Sequence, residues 1–194
     1  MLLSHPGAAR DAAPGCFLSR SGNHAGGTRV TPNVRTLILG VGSSILTDDS
    51  VGLVVAGILE KRLASRDDVD VGFNEEAGFS LLEESLGYDR LVVVDSILTG
   101  RDPGTVTRLG LDDLGRTIHS NSPHGANLAT VMELGRQQEM DVPSVVVIYA
   151  IEVVDVLTFG EELTPVLAAR VDAIADEIES ELFPGGVEHG DQTG

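Results

Sequence analysis

Two uninterrupted apolar runs, Leu91-Val-Val-Val94 and Val145-Val-Val-Ile148, constrain this chain more than any other feature. A strand with one wet face alternates apolar and polar residues. A strand written without that alternation needs cover on both faces, which a largely parallel sheet receives from helices packed on either side. The neighbouring segments supply that cover. Strand-length runs at Thr36–Leu39, Val69–Phe73, Leu91–Val94, Thr105–Leu109 and Val145–Ile151 alternate with segments of helical period at Ser50–Leu63, Phe79–Leu86, Asn127–Arg136 and Pro165–Leu182. This is the pattern of an α/β protein. The last helix reads with Thr164 as its N-cap and Pro165 in its first turn, and with Val166, Leu167, Val171, Ile174 and Ile178 as its apolar stripe. Gly87 and Gly135 read as punctuation at helix C-termini.

A chain of 194 residues, 42% of them hydrophobic, buries one good core and is read as a single domain. Residues 1–33 carry Gly, Ala, Ser, Pro and Arg with little apolar period, and are expected to form a flexible extension. Residues 34–184 then form the domain, and 185–194 a flexible tail. The net charge of -17 repels phosphate backbones and anionic bilayers, which argues against nucleic acid or a membrane as partner. No apolar run approaches the ~20 residues that span a bilayer, and the N-terminus lacks a charged-then-apolar signal pattern. With Cys16 as the only cysteine, neither an internal disulfide nor a thiolate metal cluster can form within one chain. The expectation is a soluble, cytoplasmic monomer.

Chemistry concentrates where the strands end. The turn Gly40-Val-Gly42 resembles the start of a dinucleotide fingerprint, but Ile45 occupies the position of its third glycine, and Asp48 and Asp49 put negative charge where a phosphate would sit. Such a turn suits a cation. In open α/β sheets ligands gather outside the carboxyl ends of the strands. Asp49, Asp95 and His124, the last in His119-Ser-Asn-Ser-Pro-His-Gly125, all fall at such places. Two carboxylates and one imidazole make an oxygen- and nitrogen-rich set suited to nickel, zinc or manganese. Plainer roles also fit: Asp49 as a carboxylate favoured at a helix N-terminus, His119 and His124 as solvated loop residues.

The ordered set of motifs resembles the hydrogenase maturation proteases. It comprises Ile38-Leu-Gly-Val-Gly-Ser-Ser-Ile-Leu-Thr-Asp-Asp-Ser-Val-Gly52, Tyr88-Asp-Arg-Leu-Val-Val-Val-Asp-Ser-Ile97 and Ser122-Pro-His124, supported by Pro103-Gly-Thr105, Ile151-Glu-Val153 and Phe159-Gly-Glu-Glu-Leu-Thr-Pro165. The resemblance implies a three-layer α/β/α sandwich with a five-stranded, mostly parallel mixed sheet. The antiparallel member would be Thr105–Leu109, because a short Gly/Pro loop and no crossover helix precedes it. The implied activity is removal of a C-terminal peptide from the nickel-loaded large-subunit precursor of a nickel-iron hydrogenase. Asp49, Asp95 and His124 would contact a nickel supplied by the substrate, for which zinc or another divalent ion would substitute. Asp48 is a reserve ligand, and Asp95 or Glu76 a candidate general base. The family often has Glu at the position of Asp49, one methylene longer. Phe73-Asn-Glu-Glu-Ala-Gly78 replaces its Asp-Gly-Gly-Thr type loop, which puts Glu75 and Glu76 near the cleft or simply in solvent. Glu152 either lines the same cleft or plays a structural part. Two other functions fit this residue set: a nickel-dependent docking or sensing module that does not cut, and a small-substrate metallohydrolase.

Overall fold

The computed structural model describes residues 34–76, 78–114 and 128–185. The expected extension 1–33, the tail beyond Gly185, and the segment that carries His119 and His124 lie outside the described residues. Strands β1 (Thr36–Val41), β2 (Val69–Asn74), β3 (Arg90–Ile97), β4 (Val106–Gly110) and β5 (Val145–Glu152) form one sheet in the order β2-β1-β3-β5-β4. All neighbours run parallel except β4, which pairs antiparallel with β5.

Helices cover both faces, as the unbroken apolar strands require. On one side α1 (Val51–Leu63), α5 (Pro165–Ala168) and α6 (Val171–Leu182) pack Val55, Leu59, Leu167, Ile174 and Ile178 against Ile38, Val92, Val94 and Tyr149. On the other, α2 (Phe79–Ser85) and α4 (Leu128–Gln137) pack Leu81, Leu82, Val131 and Met132 against Leu37, Leu39, Leu91 and Val93. Successive strand residues thus feed opposite cores, the period-2 geometry of a pleated strand. A single-turn helix, α3 (Leu111–Leu114), follows β4.

Three local readings need correction. The helix expected over Pro165–Leu182 is broken at Ala169–Arg170, although no proline or glycine lies there. At the break Arg170 donates through Nη1 to Pro103 O at 2.8 Å and lies over Gly104, where a Cβ would come within 2.9 Å of its side chain. Val166 accordingly leaves the apolar stripe and is exposed. Thr164 holds the N-cap position of α5 but makes no side-chain cap, because its hydroxyl donates to Asp48. Gly135 is a packing glycine inside α4: a Cβ there would sit 2.7 Å from Val142 and 2.9 Å from Leu82. Gly87, with φ of 81°, does follow α2 in the left-handed conformation expected after a helix end.

From β1 the chain goes first to β2 on one side and later to β3 on the other. The carboxyl ends of β1 and β3 therefore flank the topological switch point, where crevices form in this class of sheet.

Candidate active site

The β1–α1 connection is built to bring a helix close to the switch point. Gly42 takes φ of 151°, and a Cβ on it would fall 1.9 Å from the Asp49 carbonyl oxygen. The helix does not start after the Gly-x-Gly turn, as it would in a nucleotide site; a loop and a 3-10 turn, Asp48–Ser50, intervene. Ile45 lies in that loop, 57% exposed, and blocks nothing. Close packing is supplied instead by Gly52 in the first turn of α1, where a Cβ would lie 2.3 Å from both the Val41 and the Val94 carbonyl oxygens.

That packing sets Asp49 against β3. Asp95 does not follow β3, as its sequence context implied, but lies within it, because the strand runs on to Ile97. Ser96 joins the two acids. Its hydroxyl donates to Asp49 Oδ1 at 2.6 Å, and its backbone N–H donates to Asp95 Oδ1 at 2.8 Å. Ser43 N–H donates to Asp49 Oδ2 at 3.0 Å, which folds the Gly-x-Gly turn onto the same carboxylate. Both acids are buried, at 2% and 3% exposure, and so is Ser96. A buried carboxylate is costly unless hydrogen-bonded, and these contacts are part of what holds the pair in place. A carboxylate offers about four lone-pair positions, so donors of this kind do not prevent it from acting as a ligand or a base.

The other acids singled out in the sequence have identifiable work. Asp48, fully buried, accepts from Thr164 N at 2.8 Å and from Val154 N, Asp155 N and Thr164 Oγ1 at 3.1 Å each. It ties the 3-10 turn to the loop after β5. Glu152, at the end of β5, accepts from Thr99 N and Thr99 Oγ1 at 2.6 Å, Gly100 N at 2.7 Å and Arg101 N at 3.2 Å. It therefore organises the loop after β3. Glu75 reaches the Gly-x-Gly turn, accepting from Ser44 Oγ at 2.9 Å and Ser44 N at 3.2 Å. Glu76 is exposed, and its N–H donates to the buried Asn74 side chain at 2.8 Å. All four buried acids among the described residues thus gather at the carboxyl end of the sheet. Asp49 and Asp95 each accept a hydrogen bond from Ser96 at the switch point, whereas Asp48 and Glu152 brace loops.

Among the described residues no three His, Cys, Asp or Glu side chains are grouped so as to hold a metal ion. Leu128, the first described residue after the segment that carries His124, is 1% exposed in the same core as Val93 and Val41. Sequence reasoning missed Ser96, although its place next to Asp95 was a visible signal. No helix among the described residues is long and apolar enough to cross a membrane.

Comparison with known proteins agrees with this architecture. A family model described as hydrogenase maturation protease matches residues 55–181, a span that opens just after the Asp48–Ser50 turn and includes Asp95, His124 and Glu152. The hydrogenase 2 maturation protease of Escherichia coli (strain K12) is 28% identical over 157 residues, covering 80% of this chain and 94% of that protein. Among solved structures, the hydrogenase maturating endopeptidase HybD from E. coli superposes with a TM-score of 0.68 at 28% identity, over 79% of this chain and 95% of that one. The [NiFe] hydrogenase maturation protease HycI from Thermococcus kodakarensis KOD1 gives a TM-score of 0.58 at 27% identity, over 77% and 92%.

Proposed function

Because the chain belongs to the hydrogenase maturation protease family, we propose that it is the endopeptidase that removes a C-terminal peptide from the nickel-loaded large-subunit precursor of a nickel-iron hydrogenase, with Asp49, Asp95 and His124 meeting the nickel. The observation that carries this reading is the pair of buried carboxylates from separate elements, joined by Ser96 at the switch point. Two carboxylates and an imidazole form a donor set that nickel accepts while leaving coordination positions for other ligands. Cys16 is the chain's only cysteine, so thiolate ligands to that nickel would be the precursor's own. Nickel is then part of the substrate and acts as its signal of readiness, and zinc or another divalent ion would occupy the same donors less selectively.

In the reaction, water adds to the scissile carbonyl carbon, the C–N bond breaks, and a proton passes to the leaving amine. When bound, the metal lends Lewis acidity to this site. Asp95, held by the Ser96 N–H, is the group we assign to accept the proton of water. Glu76, the other candidate base, is exposed and lies on the loop after β2. The working form would be a cytoplasmic monomer.

The test is a processing assay with nickel-loaded and nickel-free precursor, read by product mass. A defined C-terminal peptide should be released from the loaded precursor alone, and Asp95→Asn or His124→Ala should abolish release without loss of folding. Processing by either variant at near wild-type rate would refute the assigned residues. Binding without cleavage would point to a docking module.

A further inference from the structure

We infer that the loop after β5, zipped to the β1–α1 loop, forms a rigid apolar tip that docks into an apolar, basic-rimmed socket on the large-subunit precursor. This rests on the proposed function and adds the surface by which the partner is engaged.

The two loops are held to each other by their backbones. Thr47 N–H donates to Thr158 O at 3.0 Å, Asp48 N–H to Asp155 O at 2.9 Å and Gly160 N–H to Ile45 O at 3.1 Å, while Leu46 and Phe159 form an antiparallel bridge. Asp48 adds its own bonds to Val154, Asp155 and Thr164. At the far end Asp155 Oδ1 accepts from Leu157 N and Thr158 N at 2.9 Å each and turns the chain there.

What this frame displays is apolar. Leu157 is 84% exposed and Phe159 78%, with Ile45 and Val154 half or more exposed beside them. A slack loop would fold such side chains inward, whereas a backbone fixed by this many bonds holds them out. Isolated exposed apolar residues need no explanation, but a cluster on an ordered support marks an interaction surface. Fixing the tip before binding also removes part of the ordering cost of association.

The rim identifies the partner's chemistry. Asp155, Glu161 and Glu162 border the tip, and no lysine or arginine occurs between Arg136 and Arg170 or between Arg35 and Lys61. On a chain of net charge -17, such a rim repels anionic lipid and a second copy of itself, and favours a protein surface carrying Lys or Arg around an apolar recess. The tip is also tied to the chemistry. Asp48 braces it, and the next residue, Asp49, is one of the two active-site acids, so a partner seated on the tip is registered against the Asp49–Ser96–Asp95 unit through a single 3-10 turn.

The experiment compares wild type, Leu157→Ser/Phe159→Ser and Glu161→Lys/Glu162→Lys on a nickel-loaded large-subunit precursor. Processing is followed as KM and kcat separately, and binding of the same precursor is measured by calorimetry in the Asp95→Asn background. The substituted side chains are exposed, so thermal melts should stay at the wild-type value. The apolar double variant is expected to raise KM and weaken binding by on the order of tenfold or more, with kcat at saturation unchanged. The charge-reversed variant should weaken binding and reverse its salt dependence. Unchanged KM and binding in the apolar variant, or a fall confined to kcat, would overturn the inference. A wild type that binds through the tip but does not cut would leave docking standing and remove the endopeptidase reading. One that cuts while both variants behave as wild type would do the reverse, and one that neither binds nor cuts would remove both.

Discussion

Ser96→Ala removes one hydroxyl and leaves the backbone of β3 intact. The 2.8 Å bond from Ser96 N–H to Asp95 therefore survives, while the 2.6 Å bond to Asp49 Oδ1 is lost. Asp49 keeps its bond from Ser43 N–H, but at 2% exposure water cannot readily replace the lost donor. A hydrogen bond to a charged acceptor contributes about 1.5–3 kcal/mol, and a short O–H to carboxylate bond belongs to the strong class. The cavity left by one oxygen adds little. The expected loss is about 2 kcal/mol, read as a lower urea midpoint with the slope of the transition unchanged. Asp49→Asn and the Ser96→Ala/Asp49→Asn double variant complete a cycle in which the coupling should be roughly 1–2 kcal/mol. Because Asp49 would also lose its fixed orientation, precursor processing by Ser96→Ala should fall while its melt remains cooperative. A single variant within about 0.5 kcal/mol of wild type, or an additive cycle, would refute the claim that this serine holds the two acids together.

Two glycines of α1 should respond in opposite directions. Gly52→Ala places a methyl 2.3 Å from two backbone carbonyl oxygens and should cost about 3 kcal/mol or more, whereas Gly57→Ala, whose nearest neighbour is Phe73 at 3.9 Å, should stabilise by roughly 0.5–1 kcal/mol, both read from urea midpoints. The chain has two tyrosines, and both resist ionisation: burial and the neighbouring Glu181 push Tyr149 up to about 12, and burial with the bond to Asp70 raises Tyr88. The unfolded chain therefore loses these protons first, so the stability they confer is complete below pH about 10 and is lost as pH rises toward about 12. For Tyr149 this is on the order of 2 kcal/mol, and Tyr149→Phe should flatten the alkaline fall in the unfolding midpoint; an unchanged alkaline profile would sink the reading.

The sheet was legible because its evidence is local. Unbroken β-branched runs imply cover on both faces, and the short Pro103-Gly-Thr105 connection leaves no room for a crossover, so β4 had to run against its neighbour. The acids at the ends of β1 and β3 could be read for the same reason, since composition and strand ends are visible along the chain. The break between α5 and α6 was not legible, because no proline or glycine marks it and Arg170, which stands at it, contacts Pro103 and Gly104 far back in the sequence.

The roles of individual carboxylates divide along the same line. Asp48 and Asp49 are adjacent in sequence and chemically identical, yet one faces donors at 154, 155 and 164 and the other faces Ser43 and Ser96. Glu152 is assigned to the loop at 99–101 by contacts fifty residues away. The amino-acid sequence by itself determined the layered α/β class, the antiparallel edge strand and the gathering of acids at the carboxyl end of the sheet, because propensity and hydrophobic period act over a few neighbours. Only the tertiary structure decided which of those acids bond to Ser96 at the switch point and which brace loops, because a buried carboxylate takes its role from donors that folding brings to it across long stretches of chain.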